Sequence, residues 1–205
     1  MAVPPSTRPR SLDPQPSSRT RLLDAALDVF RTKGYTATTV DDICQAAGLT
    51  KGSFFHHFRG KEELAVEATR HWNATTKSFF DSAPFHALPD ARERVLGYID
   101  LRASMLDGDP GEFSCLLGTM VQETYATHPD IRAACDEGLR LHTQSLIADF
   151  TQAKAERSPD ADWDPASLAN YTQVTLQGAF VMAKADASVQ GAREAIGHLR
   201  RYVEL

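Results

Sequence analysis

Apolar residues recur along this 205-residue chain at helical spacing, and no segment alternates apolar and polar positions as a strand would. Leu22, Leu23, Ala26, Leu27 and Phe30 mark one face of a first helix, which Ser17 or Ser18 can cap and Gly34 closes. Thr39 then places a hydroxyl ahead of VDDICQAA, with Asp42 in the first turn near the positive helix end. Gly48 breaks that helix, Thr50 caps the next, and KGSFFHHF supplies about two turns. Lys61 opens a longer helix with Leu64, Ala68, Trp72, Thr75 and Phe79 on one side, expected to end near Pro84. The pattern predicts further helices over 90–107, 114–126, 129–154, 166–187 and 192–203, the first ended by the loop DGDPGEF. The fold expected is all-α, without internal repeats.

Two short helices joined by a tight glycine-containing turn and preceded by a third helix make a helix-turn-helix. Ile43, Ala47, Leu49, Phe54 and Phe58 supply its miniature core, and Cys44 is small where the helices approach. Lys51, Ser53, His56 and His57 are left to face outward. Hydroxyls, lysines, imidazoles and helix N-termini are the groups that hydrogen-bond phosphate oxygens. The second short helix therefore reads as a recognition helix for the DNA major groove.

Charge changes the picture at one point. The chain carries −5 overall, which argues against a polyanion partner. Residues 1–61 hold nine Lys/Arg against five Asp, a net of +4, so the remainder carries −9. A basic front meets nucleic acid while an acidic back keeps away from it. The opening stretch MAVPPSTRPRSLDPQPSS is Pro- and Ser-rich without apolar period, and residues 1–18 are expected to form a disordered arm. No apolar run approaches the roughly 20 residues of a membrane span, and no secretion signal opens the chain. Three cysteines, an odd number, argue against a disulfide framework and for a reducing cytoplasm.

The segment TRLLDAALDVFRTKGYTATTVDDICQAAGLTKGSFFHHFRGKEEL resembles the DNA-binding domain of the TetR family of bacterial transcriptional regulators. The resemblance is carried by Phe30 with Gly34-Tyr35 and Thr38-Thr39-Val40, by Ile43 with Ala47-Gly48, and by the TKGSFFHHF and KEEL tail. It covers about 45 contiguous residues, and the CLLGTMVQE run, Cys115 to Glu123, is similar to a helix of some members. It implies a helix-turn-helix domain over 19–64 and a ligand-binding and dimerisation domain over 65–205. It further implies phosphate contacts from Thr39, His56, His57 and Lys61, and contacts to bases or flanking phosphates from Lys51 and Ser53 beside Thr50. Phe55 stands where the family very often has Tyr, which removes one hydroxyl contact, and Gly60 stands where a capping Ser is common. The function implied is a ligand-responsive regulator, a repressor released from a palindromic double-stranded operator by a small molecule.

Beyond Leu64 the candidates are less specific. Trp72, Phe79, Tyr98, Cys115, Met120 and Tyr171 are candidate cavity residues, each of which can equally be ordinary core. The penultimate helix is apolar on every side, and Val174, Gly178 and Val181, with Ile196 and Leu199 of the last helix, are expected to build a four-helix homodimer interface. Cys115, at a helix start, is a candidate thiolate or a small core residue. No cofactor or metal is expected: the adjacent His56 and His57 lack HExxH or CxxC partners, and Pro110 and Glu112 break the calcium-loop pattern of DGDPGE. No nucleophile–base motif marks an enzyme. The alternative is a small-molecule-binding or enzymatic helical bundle with a vestigial DNA module, against which the basic front and outward Lys51 count.

Overall fold

The computed structural model describes residues 16–204. The expected arm falls outside the described residues except for its last three, and there the structure corrects it. Ser17 accepts the Thr20 backbone N–H at 3.1 Å, and α1 (Ser18–Lys33) begins at Ser18. A hydroxyl at an N-cap satisfies one of the free donors of the first turn, so the chain becomes helical at once.

Three elements follow α1: α2 (Val40–Ala47), α3 (Lys51–His57) and the long α4 (Lys61–Asp81). Thr39 caps α2 in a reciprocal box with Asp42, and Gly48 ends it in the left-handed region at φ 61°, ψ 39°. Next come α5 (Ala91–Ser104), α6 (Pro110–Phe113), α7 (Leu116–Thr124), α8 (Pro129–Arg157), α9 (Pro165–Asp186) and α10 (Gln190–Glu204). There is no strand among the described residues. Two elements had no sequence signal, α6 and the 3-10 turn Pro84–Ala87. Each is four residues long, too short for a helical period to register.

The helices enclose two cores. The first joins Leu22, Phe30, Ile43, Phe54 and Leu64 to Leu116, Leu117 and Met120 of α7 and to Ile131 and Cys135 of α8. The helix-turn-helix therefore shares its core with the following helices, and the boundary drawn after Leu64 does not separate the packing. The second core gathers Phe80, Tyr98, Ile99, Phe150, Leu176 and Phe180. Helix α4 reaches both, through Leu64, Ala65 and Ala68 at one end and Phe80 at the other, and Cys115 packs against both.

One expectation for α10 is overturned. Ile196 and Leu199 are 1% exposed and belong to the second core. Helix α10 packs against both α5 and α9. Its single apolar stripe is used to close the protomer, so these two residues do not face a partner.

Candidate DNA-binding surface and ligand cavity

Helix α3 is held from beneath by Phe54, fully buried, and by Phe58 at its C-cap, 3% exposed. Burying one such ring contributes roughly 1.5–3 kcal/mol, enough to fix a helix too short to be stable alone. The turn before it is stitched by Arg21, whose Nη2 donates to Ala47 O at 2.7 Å, so the carbonyls ending α2 are satisfied across the domain. Thr50 caps α3 through the Ser53 backbone N–H at 3.2 Å. The outer side then presents Lys51, Phe55 and His56 exposed and Ser53 half-buried. Lys51 Nζ lies 2.9 Å from Asp41 Oδ1 with both side chains well exposed. A pair of that kind contributes at most about 1 kcal/mol, so a phosphate can displace the carboxylate.

The other proposed phosphate ligands divide. The Thr39 hydroxyl, at the exposed start of α2, accepts from Asp42 N at 3.1 Å and donates to Asp42 Oδ2 at 2.7 Å. Lys33 holds the same carboxylate at 2.7 Å, and these bonds, Lys33 first, keep Asp42 well below the usual carboxylate range. His57 is half-buried, with Nε2 2.7 Å from Ser18 Oγ, which ties the end of α3 to the start of α1. Lys61 departs furthest from expectation. Its Nζ donates to Tyr35 O at 2.9 Å and Thr38 O at 2.8 Å and sits 4.3 Å from the Tyr35 ring centre. Burial lowers its pKa. The ammonium serves the turn between α1 and α2 instead of pointing at a phosphate.

On the far side, the outer face of α9 is apolar and open. Tyr171, Val174, Val181 and Met182 are 47%, 59%, 45% and 54% exposed, and Tyr202 of α10 lies against Tyr171, the rings tilted by 59° with centres 5.6 Å apart. A Cβ placed on Gly178 would meet nothing. Tyr171 therefore belongs to this outer stripe and not to a cavity. Its turn of the helix points away from the inward residues Thr172, Leu176 and Ala183.

Between α4, α5, α8 and α9 lies a cavity of about 440 Å³. Trp72, Phe79 and Cys115 line it, as do Phe80, Phe113, Leu117 and Leu139. Met120 does not, because it is fully buried in the first core. Tyr98 stands behind the wall, fully buried, and its hydroxyl meets two lining side chains, Gln173 Nε2 at 2.7 Å and His142 Nε2 at 2.8 Å. Burial raises the Tyr98 pKa. Arg102, also lining, places Nη1 3.5 Å from the same oxygen. No sequence signal singles out Arg102, His142 and Gln173. They occupy three different helices, and no spacing within one segment announces such a meeting.

Residues 22–68 match the family model described as bacterial regulatory proteins, tetR family, and residues 91–199 match the tetracyclin repressor-like C-terminal domain. The chain belongs to the TetR family of bacterial transcriptional regulators. It is 30% identical over 179 residues to the transcriptional regulator AcuR of Cereibacter sphaeroides, covering 86% of this chain and 81% of that one. A regulatory protein TetR from Rhodobacter sphaeroides superposes with a TM-score of 0.81 at 26% identity, over 90% of this chain and 98% of its own. The regulator CifR, solved with a 26-base-pair double-strand operator, shares the fold at a TM-score of 0.71 and 23% identity, over 95% and 98% of the two chains. This TetR-family chain is accordingly a DNA-binding transcriptional regulator. No helix among its described residues is long and apolar enough to cross a membrane.

In this TetR-family chain a second link joins the halves besides α4. Glu123, ending α7, accepts the backbone N–H groups of Tyr35 at 3.2 Å and Thr36 at 2.8 Å. A Cβ at Gly34, whose φ is +83°, would lie 2.3 Å from Glu123 Oε1, so glycine admits the carboxylate as well as the backbone angle. Helix α7 follows its N-cap residue Cys115 on the cavity wall, and its last turn meets the turn that Lys61 also holds.

Proposed function

We propose that the protein is a cytoplasmic, homodimeric repressor that grips a palindromic double-stranded operator and lets go when a small molecule fills the cavity. The observation that carries this reading is α4, one continuous helix whose N-terminal turns pack into the DNA-binding core and whose C-terminal turns wall the cavity. A ligand that binds one position of α4 better than the other biases the spacing of the two recognition helices by that difference in affinity, and by no more. Residues 19–64 carry DNA recognition and residues 65–205 the ligand and the partner.

Thr39, Thr50, Lys51, Ser53 and His56 form the contact set on the DNA side, with Phe55 offering an apolar surface to a base edge or methyl group. Pairing through Tyr171, Val174, Gly178, Val181 and Met182 covers an apolar stripe that a monomer rarely exposes. A two-fold dimer then sets the recognition helices on half-sites roughly 34–36 Å apart or a multiple of that.

The test is a selection from random duplexes with the full chain, followed by binding to the enriched duplex at several salt concentrations. A palindrome should emerge, with affinity falling log-linearly in salt at a slope near −0.9 per phosphate contacted. No enrichment and no salt dependence would turn the reading towards a helical binding protein that does not use DNA.

A further inference from the structure

Arg102 is 8% exposed, in the last turn of α5, and it lines the cavity. Among the described residues its guanidinium forms no ion pair. Its one hydrogen bond is the long one to Tyr98 Oη, at 3.5 Å, and the rings of Phe80 and Phe180 lie 5.4 Å and 5.1 Å from Cζ. The other charged side chains of the lining are engaged. Arg31 pairs with Asp28 at 2.8 Å and donates to Glu112 O at 2.7 Å, Lys77 pairs with Asp81, and Glu112 accepts from Asp109 N at 3.0 Å.

The polar groups beside Arg102 add no second cation. A tyrosine hydroxyl has one proton and two lone pairs. Gln173 and Arg102 both donate to the Tyr98 oxygen, so its proton goes to His142 Nε2, which must be bare. Burial, and then the charge of Arg102, push the His142 pKa down to about 3, and the ring is neutral. Arg102 is therefore the lining cation that has no ion pair among the described residues, the Glu112 carboxylate being turned to Asp109 N, and Trp72, Phe79, Phe80 and Phe113 supply apolar wall.

Filling such a cavity with a neutral apolar molecule strips water from a guanidinium that pairs with no carboxylate among the described residues, a costly step. A cation is repelled, and a doubly charged phosphate exceeds the single charge available. A carboxylate matches both the charge and the planar two-pronged donor geometry of arginine. We infer that the ligand of this cavity is a small monocarboxylic acid with an aromatic or aliphatic body, its carboxylate seated on Arg102. The inference rests on the reading of this cavity as the site of the releasing ligand. Phe80, which meets the guanidinium face, is a residue of α4, so the carboxylate seat touches the helix that reaches the DNA-binding core.

Calorimetric titration of the full chain with 3-phenylpropanoate and octanoate, and with their neutral amides, tests this directly. The acids should bind the unaltered protein at least roughly tenfold more tightly than the amides, and Arg102→Gln should weaken the acids about 10- to 100-fold while changing the amides little. Arg102→Lys, which keeps the charge and loses the fork, should fall between. Amides binding as well as acids, no acid binding at millimolar concentration, or Arg102→Gln retaining full acid affinity would each overturn the inference. If Arg102→Gln does not fold, the preference of the unaltered protein decides. DNA binding without acid is measured on the same preparation. Its failure sinks the regulator reading alone, whereas intact DNA binding without acid preference sinks only this inference.

Discussion

Lowering the pH from 7 to 5 should destabilise this protein through one buried imidazole. His142 is neutral in the folded chain, its pKa held near 3 first by burial and then by the Arg102 charge, whereas in the unfolded chain it titrates near 6.5. A depressed histidine pKa means that the unfolded state binds the proton first. Its contribution to stability is thus complete above pH 6.5 and is lost as pH falls from 6.5 towards 3. Integrating between pH 7 and 5 gives at most about 2 kcal/mol, an upper figure because the ring also faces the cavity. For a chain of this size that is a fall in Tm of roughly 4–8 °C. His142→Gln keeps a neutral acceptor for the Tyr98 hydroxyl and removes the titration. Denaturant unfolding followed by circular dichroism, for both proteins at pH 7 and pH 5, isolates the effect as the difference of differences. If the two lose stability in parallel, the imidazole is not the responsible group and the Tyr98–His142–Gln173 network is misassigned.

The remaining expectations concern the other surfaces. Lys51→Ala should weaken operator binding and lower the magnitude of its salt slope by about one unit with stability unchanged, since its Asp41 pair is exposed. Lys61→Ala should instead cost about 1–3 kcal/mol of stability by orphaning the carbonyls of Tyr35 and Thr38, and equal stability of the two variants in denaturant would contradict that division. Gly178→Glu has open space in the protomer but puts a charge into the proposed interface. It should give folded monomers by light scattering, and an intact dimer would place the interface elsewhere. A limiting electrophile should label Cys115 first, because Cys44 and Cys135 are buried and burial pushes both thiols up, Cys135 to about 12. Peptide mass spectrometry finding either buried thiol modified ahead of Cys115 would refute that order.

The sequence by itself determined what local chemistry decides. Caps and breakers at Ser17, Thr39, Gly48 and Thr50 act within one helical turn, and the helices they bound stand where the pattern predicted them. The Phe54 and Phe58 anchors and the outward Lys51 follow from the same 3.6-residue period, and the family was legible because that motif is one contiguous segment. Only the tertiary structure decided which partner each face meets. The amphipathic pattern of α10 was readable, but nothing in it said whether Ile196 and Leu199 closed the protomer or faced another copy. Tyr171 and Met120 were likewise apolar at helical spacing, and one ended on an outer stripe and the other in the first core. Lys61, a phosphate ligand by resemblance, instead meets a turn of backbone carbonyls 23 and 26 residues before it. Arg102, His142 and Gln173 meet through Tyr98 from α5, α8 and α9, across 44 and 75 residues of chain between the partners. Short-range periodicity records which side of a helix is apolar. It holds no information on which distant side chain will stand opposite, and the charge of the cavity depends on that.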